Sequence, residues 1–385
     1  MRPQTNYIPN LTPLRGFAAL MVVVFHFEEL VAMFVQPQHS MIVRKGYLMV
    51  DLFFIMSGFV MLHVYGSSFD KTFQWPVFAR FIKARFARLY PLHLFTLLLA
   101  VAFFYGTHQP PSPIENPAAI PIHLLLLQSF GIHHIFTWNV PSWSISAEWW
   151  AYMLFPILAL LLGRNKKLTI AFMLLLAAAL YVSVMYLLPR VNPFAPNIPV
   201  PHTLDVTYDY GFIRGIAGFM AGMVTYIFYQ QKKLLHFFAK DLAGLLCGAL
   251  FIATLHLGLN DLFYIPVFML LVLAIAANNE TIHRICMLQP LQYLGDISYS
   301  IYLVHVQLIF LVAVPVMEKM GFVFKGSGSL HIPFWTGVLC CSIFIIVLIA
   351  VSSITYNLIE KPCRKWINGL SNKPLAPTSI ELQRN

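Results

Sequence analysis

The chain contains ten apolar stretches of roughly 20 residues, the length that an α-helix needs to cross the hydrocarbon core of a bilayer. Hydrophobic residues make up 59% of its 385 residues and charged residues only 10%, whereas about a quarter of the residues in a soluble domain are charged. Because a soluble fold has too little interior to bury so much apolar surface, the sequence predicts an all-α polytopic membrane protein. We place the transmembrane helices at Leu14–Phe34, Gly46–Tyr65, Leu89–Tyr105, Trp143–Leu162, Leu168–Leu188, Asp209–Tyr229, Leu242–Leu257, Leu262–Ala277, Tyr293–Val314 and Phe334–Leu358.

The distribution of lysine and arginine indicates how these helices are oriented. With the N-terminus in the cytoplasm, 18 of these residues lie on the cytoplasmic side and five on the opposite side. Cytoplasmic loops carry such an excess, so we predict ten helices with both termini in the cytoplasm. The net charge of +10 is then a property of the loops and does not indicate nucleic-acid binding. We predict one transmembrane domain over residues 1–370 and a disordered tail over residues 371–385.

The first two predicted spans contain a possible catalytic pair. Arg15 and His26 are eleven positions apart in the first span, so they share one helix face and lie about 16 Å apart along the axis. Asp51 opens the second span at a depth similar to that of His26, where a neighbouring carboxylate would make the imidazole a better general base. The alternatives are that Arg15 reaches the headgroups, that His26 bonds a carbonyl group and that Asp51 caps its helix.

Two further spans carry polar stripes. Glu148 follows Ser144 and precedes Tyr152 at helical spacing in the fourth span, where it could bind sugar hydroxyls or a cation, or pair with an arginine. Tyr302 and His305 share one face of the ninth span. Charged and polar groups inside spans are costly and are functional candidates, but a packing role for His305 is an equally good interpretation.

A basic run precedes Pro91 in the predicted loop between the second and third spans. It contains Arg80, Lys83, Arg85 and Arg88. One interpretation is anchoring to anionic lipid at the membrane surface. The other is a phosphate site, because two arginines at i and i+3 point the same way and could hold the phosphates of coenzyme A.

Together these segments resemble the acyltransferase family 3 membrane proteins, which O-acylate extracytoplasmic glycans. The resemblance covers almost the whole chain and rests on six segments in order: Leu14–Ala19 with His26, Val50–Phe59, Arg85–Pro91, Ser142–Tyr152, Ile297–His305 and Glu360–Pro362. Some family members append a periplasmic esterase-like domain, and this chain resembles the type without one.

The resemblance implies an O-acyltransferase that uses cytoplasmic acyl-CoA, by default acetyl-CoA, and an extracytoplasmic glycan acceptor. We predict that Arg80, Lys83, Arg85 and Arg88 bind the donor, with Tyr302 and His305 along its path. His26 is the expected base or acyl carrier, with Asp51, Arg15 and Glu148 as its catalytic partners. No metal site is predicted. The alternatives are a small-molecule acceptor or a proton-coupled sugar or lipid-glycan transporter, and the oligomeric state stays open.

Overall fold

The computed structural model describes residues 7–106, 113–133, 135–191, 202–320 and 330–370. This part of the chain is almost entirely helical, as the sequence predicts. The α-helices are α1 Leu11–Leu30, α2 Met49–Phe69, α3 Trp75–Gly106, α4 Ile120–Leu124, α5 Trp143–Arg164, α6 Lys166–Val182, α7 Leu188–Val191, α8 Gly211–Tyr229, α9 Lys232–Phe238, α10 Asp241–Leu257, α11 Tyr264–Ala277, α12 Thr281–Cys286, α13 Gln289–Asp296, α14 Ser298–Leu308, α15 Val314–Lys319, α16 Phe334–Thr355 and α17 Lys361–Gly369.

Eight helical segments in the described residues are long and apolar enough to cross a membrane. A ninth is the bent pair α9 and α10, whose axes differ by 76°, and the predicted eighth span corresponds to the shorter apolar helix Asp261–Ala277. All ten predicted spans are therefore helical, and eight of them meet the length criterion without a break. The predicted tail at residues 371–385 lies outside the described residues.

Three helices are continued by π-helical turns, at Ser183–Leu187, Ile309–Ala313 and Tyr356–Glu360. Such turns are often found at functional sites, because the extra residue shifts the direction of a side chain. In the described residues, β-structure is limited to one parallel pair, β1 Ala32–Met33 with β2 Leu330–His331.

Glycines bring the central helices into close contact. Gly58 of α2 lies against the backbone of Phe219 in α8, and Gly222 of α8 lies against the backbone of Ile55. A β-carbon at either glycine would overlap a carbonyl group of the other helix. Small residues permit this approach where lipid supplies no hydrophobic force between helices. Gly16 of α1 packs in the same way against Gly295, and α14 follows that contact directly.

The basic run differs from the prediction. Residues 80–88 were expected in a loop, but they are part of α3, which continues through Pro91 without ending. A proline inside a helix costs one hydrogen bond, which neighbouring groups replace in packed membrane helices. The helical conformation fixes which basic side chains face the interior of the bundle and which face outward.

Candidate active site

A cavity of about 110 Å³ lies between α1, α2, α3, α5 and α14. Its polar wall is formed by Arg15, Ser57, Arg85, Arg88, Ser144, Glu148, Tyr152, Ser298, Tyr299 and Tyr302. Ligand pockets commonly have volumes of roughly 300–1,000 Å³, so this cavity accommodates only part of a large ligand. It brings together five of the residues that the sequence singled out, three of them arginines.

Two of the arginines lack an acidic partner in the described residues. Arg15 lines the cavity, and its side chain forms no hydrogen bond or ion pair within the described residues. Arg85 donates from Nη2 to the hydroxyl of Tyr65 at 3.1 Å, and its guanidinium lies 5.2 Å from the centre of that ring. Both arginines are partly buried, and a cation that loses hydration without gaining a carboxylate partner is unfavourable, so this part of the cavity is suited to an anionic ligand.

Arg88 is held by a buried carboxylate. Its Nη1 lies 3.1 Å from Oε1 of Glu360, while Oε2 of Glu360 accepts from Ser300 at 3.0 Å. Glu360 is the last residue of the π-helical turn after α16. In the sequence, Glu360 belongs to the segment Glu360–Pro362, and no role was predicted for it. The sequence feature that could have identified it is a carboxylate directly after the last apolar stretch.

Glu148 forms a polar cluster deeper in the cavity. Its Oε1 accepts from Ser57 at 2.8 Å and also from the hydroxyl of Tyr152. The helical spacing of Glu148 and Tyr152 predicted their shared face. The hydroxyls of Ser57 and Tyr152 lie 3.1 Å apart, so three groups from α2 and α5 meet at one point of the wall.

His26 pairs with His305. Nδ1 of His26 lies 3.1 Å from Nε2 of His305, and the ring centres are 5.0 Å apart. The ring of His305 lies 5.8 Å from that of Tyr302, which lines the cavity. Tyr302 forms the end of the cavity that lies deeper in the helix bundle, and the histidine pair lies directly behind it.

The two carbonyl groups beside these rings determine which nitrogens carry protons. Nδ1 of His26 bonds the carbonyl oxygen of Val22 at 3.1 Å, and Nδ1 of His305 bonds that of Tyr302 at 2.7 Å. A carbonyl oxygen only accepts, so both Nδ1 atoms are donors. The single Nδ1–H of His26 is then shared between the carbonyl oxygen of Val22 and Nε2 of His305, and Nε2 of neutral His26 keeps an unshared lone pair.

Asp51 does not contact His26, and the expected pair between these two residues is wrong. The Asp51 carboxylate is fully buried and faces α8, where Arg214 donates from Nη2 at 2.6 Å and from Nε at 3.1 Å. Tyr181 donates to it at 3.3 Å. The sequence does not give the rotation of that helix about its axis. His305 occupies the position beside His26 that was assigned to Asp51.

Arg214 was not assigned a site role, although it was one of two basic residues placed inside predicted spans. It is fully buried and also donates to the carbonyl oxygens of Tyr47 and Val206. Nearby, Lys45 lies 2.6 Å from Asp261, which also accepts from the hydroxyl of Tyr47 at 2.7 Å. This network joins α2 and α8 to the segment before α11 and is a structural feature of the bundle.

Arg80 and Lys83 do not reach the cavity. Arg80 is exposed, and Nζ of Lys83 donates to the carbonyl oxygen of Asn368 at 3.3 Å, beside α17. Neither residue is part of the cavity wall. Arg80 and Lys83, which the sequence predicts to bind the donor, therefore lie outside this cavity.

A buried polar layer lies between α3, α14 and the segment that precedes α5. Its side chains are His93, Thr96, His123, Gln128, Thr137, Asn139, Ser142 and Gln307. Asn139 donates to Thr96 at 2.9 Å and to the carbonyl oxygen of Leu303 at 3.3 Å. Burial lowers the pKa of His123 to about 3, so its imidazole is neutral at neutral pH.

This polar layer contains acceptor atoms without donors. The side-chain nitrogens of Gln128, Asn139 and Gln307 donate to carbonyl groups, which leaves their amide oxygens as the atoms that still need a partner. These three oxygens and Nδ1 of His93 are buried without a partner in the described residues. Unpaired buried acceptors are costly, so the layer is suited to hydroxyl groups or water molecules. The sequence does not predict this layer, because amide side chains in a loop give no periodic signal.

Two residues near this layer have unusual backbone angles. Leu126 and Trp138 have φ values of 56° and 52°, a left-handed conformation that is costly for residues other than glycine. The carbonyl oxygen of Leu126 accepts from Ser146 at 2.6 Å and from Trp150 at 2.9 Å. These two bonds from α5 hold the strained segment in place. Strain of this kind is often found beside binding sites.

The described residues contain no group of three or more histidine, cysteine, aspartate or glutamate side chains that could hold a metal ion.

The chain is similar to several known proteins. A family model described as an acyltransferase domain matches residues 8–353. The protein named Acyltransferase MdmB from Streptomyces mycarofaciens is 34% identical over 165 residues, which are 41% of this chain and 40% of that protein. Peptidoglycan O-acetyltransferase OatA of Listeria monocytogenes is 22% identical over 402 residues, covering 96% of this chain and 58% of that protein. The chain thus spans about half the length of these relatives, and no solved structure matches it.

Proposed function

Because the chain belongs to acyltransferase family 3, we propose that it is a membrane-bound O-acyltransferase. The donor is cytoplasmic acyl-CoA, with acetyl-CoA as the default, and the acceptor is a hydroxyl group of an extracytoplasmic glycan such as a surface polysaccharide. The proposed location is the inner membrane of a bacterium. The family match favours an enzyme over the transporter that the buried charges also suggested.

One observation carries the proposal. Arg15, Arg85 and Arg88 line a single cavity whose inner end, at Tyr302, adjoins the His305–His26 pair. Coenzyme A carries phosphate groups at one end and the acyl thioester at the other, and arginines favour phosphate. Since the cavity is small, the donor phosphates would bind toward the arginine end while the thioester arm reaches inward.

Nε2 of His26 is the proposed base. It removes the proton from an acceptor hydroxyl, and the oxygen attacks the thioester carbon. The new C–O bond forms as the C–S bond breaks, and the proton passes from His26 to the departing thiolate of coenzyme A. His305 fixes the His26 ring in the required tautomer. In an alternative order, Nε2 of His26 first takes the acyl group and then gives it to the acceptor.

The polar layer under the segment before α5 supports a hydroxyl-rich acceptor. Its unpaired amide oxygens and imidazole nitrogen require donors, which sugar hydroxyls supply. Asn139 in this layer contacts the carbonyl group of Leu303, two residues before His305. The printed name of OatA, a peptidoglycan O-acetyltransferase, agrees with a glycan acceptor. A small-molecule acceptor remains the second candidate, and the side of the membrane on which product accumulates separates the two.

The first test is release of free CoA from acetyl-CoA by the purified protein in nanodiscs, where water takes the place of the acceptor hydroxyl and acetate is the second product. We expect release by the wild type and its loss in His26→Ala, because the base is absent. Arg85→Ala should raise KM for acetyl-CoA by about tenfold or more, the scale of one charged hydrogen bond. Arg88→Ala is less suitable, because it leaves Glu360 buried without its partner.

Arg80→Ala is the matched control, since it removes a cation from the same helix without changing the cavity. It should retain the KM of the wild type. A folded wild-type protein that neither binds acetyl-CoA nor releases CoA would rule out the acyl-CoA donor. Equal effects of Arg85→Ala and Arg80→Ala would rule out the cavity as its binding site.

A further inference from the structure

The basic run of α3 divides between two faces, and the proposed enzyme activity uses only one. Arg85 and Arg88 line the cavity, whereas Arg80 is exposed and Lys83 contacts α17 through Asn368. Arg80 and Lys83 are three positions apart, so they lie on the same side of the helix. Their outward position requires a different explanation.

Helix α17 extends this positive surface. Lys361 and Lys365 are exposed and lie one helical turn apart. Neither α3 nor α17 contains an aspartate or glutamate. The four cations therefore belong to two adjoining helices that supply no compensating negative charge.

Large apolar side chains border the same surface. Trp366 is 67% exposed and Leu370 is 65% exposed, and together with Pro362, Lys365 and Gly369 they line a shallow groove. At the start of α3, Trp75 is 71% exposed. Exposed tryptophan beside lysine is typical of residues at the headgroup level of a bilayer, where the ring contacts acyl chains and the cation remains in water.

We propose that Arg80, Lys83, Lys361, Lys365 and Trp366, here named the basic platform, bind an anionic glycerophospholipid from the surrounding bilayer. The cations hold its phosphodiester and headgroup, and Trp366 with the groove beside it covers the upper part of an acyl chain. Charge complementarity selects an anionic lipid over a zwitterionic one. A soluble phosphate would leave Trp366 and Leu370 uncovered, so the lipid is the better partner.

The basic platform is also connected to the cavity. Helix α17 begins at Lys361, directly after Glu360, and Glu360 holds Arg88. A lipid bound to α17 therefore lies one residue from the carboxylate that positions a cavity arginine. The binding test below does not depend on this connection or on the proposed enzyme activity.

The test is native mass spectrometry of the delipidated protein titrated with phosphatidylglycerol or with phosphatidylcholine of the same acyl chains. We expect preferential retention of phosphatidylglycerol. The variant Arg80→Gln/Lys83→Gln/Lys361→Gln/Lys365→Gln should bind it at least about tenfold more weakly, because each cation near the headgroups favours anionic lipid. Binding of phosphatidylcholine should not change.

A variant with four other exposed lysines replaced, Lys166→Gln/Lys167→Gln/Lys232→Gln/Lys233→Gln, is the matched control for lost charge. Trp366→Ala, which keeps every charge, should also weaken phosphatidylglycerol binding. Wild-type affinity in the platform variant, or an equal loss in the control, would overturn the proposal. So would displacement of the lipid by sn-glycerol 3-phosphate, since that result would indicate a soluble phosphate ligand.

Discussion

Nδ1 of His26 lies 3.1 Å from Nε2 of His305, and each ring also bonds a backbone carbonyl group through Nδ1. The second histidine thus fixes the first in the tautomer that leaves Nε2 free. A carboxylate is the more usual partner of a catalytic imidazole, and a carboxylate increases its basicity. A neutral imidazole partner orients the ring without adding charge, which suits a site within the membrane.

Replacing His305 with alanine should lower the rate of CoA release by about 100-fold, the lower end of what positioned acid–base catalysis contributes. The loss should be in kcat, with little change in KM for acetyl-CoA, because neither histidine is part of the cavity wall. Steady-state kinetics of the purified protein in nanodiscs would measure both constants.

His305→Gln is the matched variant, because the amide oxygen of glutamine can accept the hydrogen bond that Nδ1–H of His26 donates. It should recover a measurable part of the rate that His305→Ala loses. Wild-type kinetics in both variants would mean that His305 has only a packing role, which is the alternative interpretation that the sequence left open.

Replacing Asp51 with alanine should destabilise the protein by about 3–5 kcal/mol, because Arg214 would be buried without its partner. Thermal unfolding in detergent would detect this loss. The double variant Asp51→Leu/Arg214→Met should recover much of the stability, since it removes both charges together. Asp51→Asn keeps the side-chain shape, so the folded fraction should release CoA at close to the wild-type rate. A stable Asp51→Asn protein without activity would contradict a purely structural role.

The sequence predicted positions along helices better than rotations about them. Spacing within one helix correctly placed Glu148 and Tyr152 on a shared face, and Arg85 and Arg88 on the same cavity wall. The partner of Asp51 lies 163 residues away on α8. No local pattern shows which of several packed helices a side chain faces.

Composition also could not predict how far α3 extends. Its basic first half was taken for a loop because charge normally ends a transmembrane span. The basic part of the helix contacts α17 on one side and lines the cavity on the other, and the helix therefore continues from Trp75 to Gly106. A loop prediction could not distinguish Arg80 from Arg85, because only a regular helix places the two side chains on different faces.

The close contact of α2 and α8 provides a stability test. Gly222→Ala and Gly58→Ala each place a methyl group where a backbone carbonyl of the other helix lies. Each should destabilise the protein by roughly 1–3 kcal/mol, the usual cost of overpacking. Gly248→Ala is the control, because no heavy atom lies within 4 Å of its added methyl group. Fluorescence-detected size-exclusion after heating would rank the variants, and equal behaviour of all three would contradict the packing argument.

The polar layer under the segment before α5 can be separated from the donor site by kinetics. Asn139→Leu and Gln128→Leu each remove an unpaired amide oxygen from that layer and keep a similar volume. If the layer binds acceptor hydroxyls, each variant should lower acceptor acylation by about tenfold, the scale of one or two lost hydrogen bonds. Acceptor-independent CoA release should persist, because neither side chain is part of the cavity wall. Base-labile acetate in the envelope of producing cells measures the first quantity, and purified protein measures the second.

Gln230→Leu is the matched control for that comparison, because Gln230 is an exposed glutamine at the end of α8, away from the layer. It should leave both quantities unchanged. A parallel fall of acylation and CoA release in Asn139→Leu would instead show that the layer supports the fold near His305, through the bond from Asn139 to the carbonyl group of Leu303. Loss of acylation alone separates the acceptor side of the reaction from the donor side, because the donor half remains intact in the same protein.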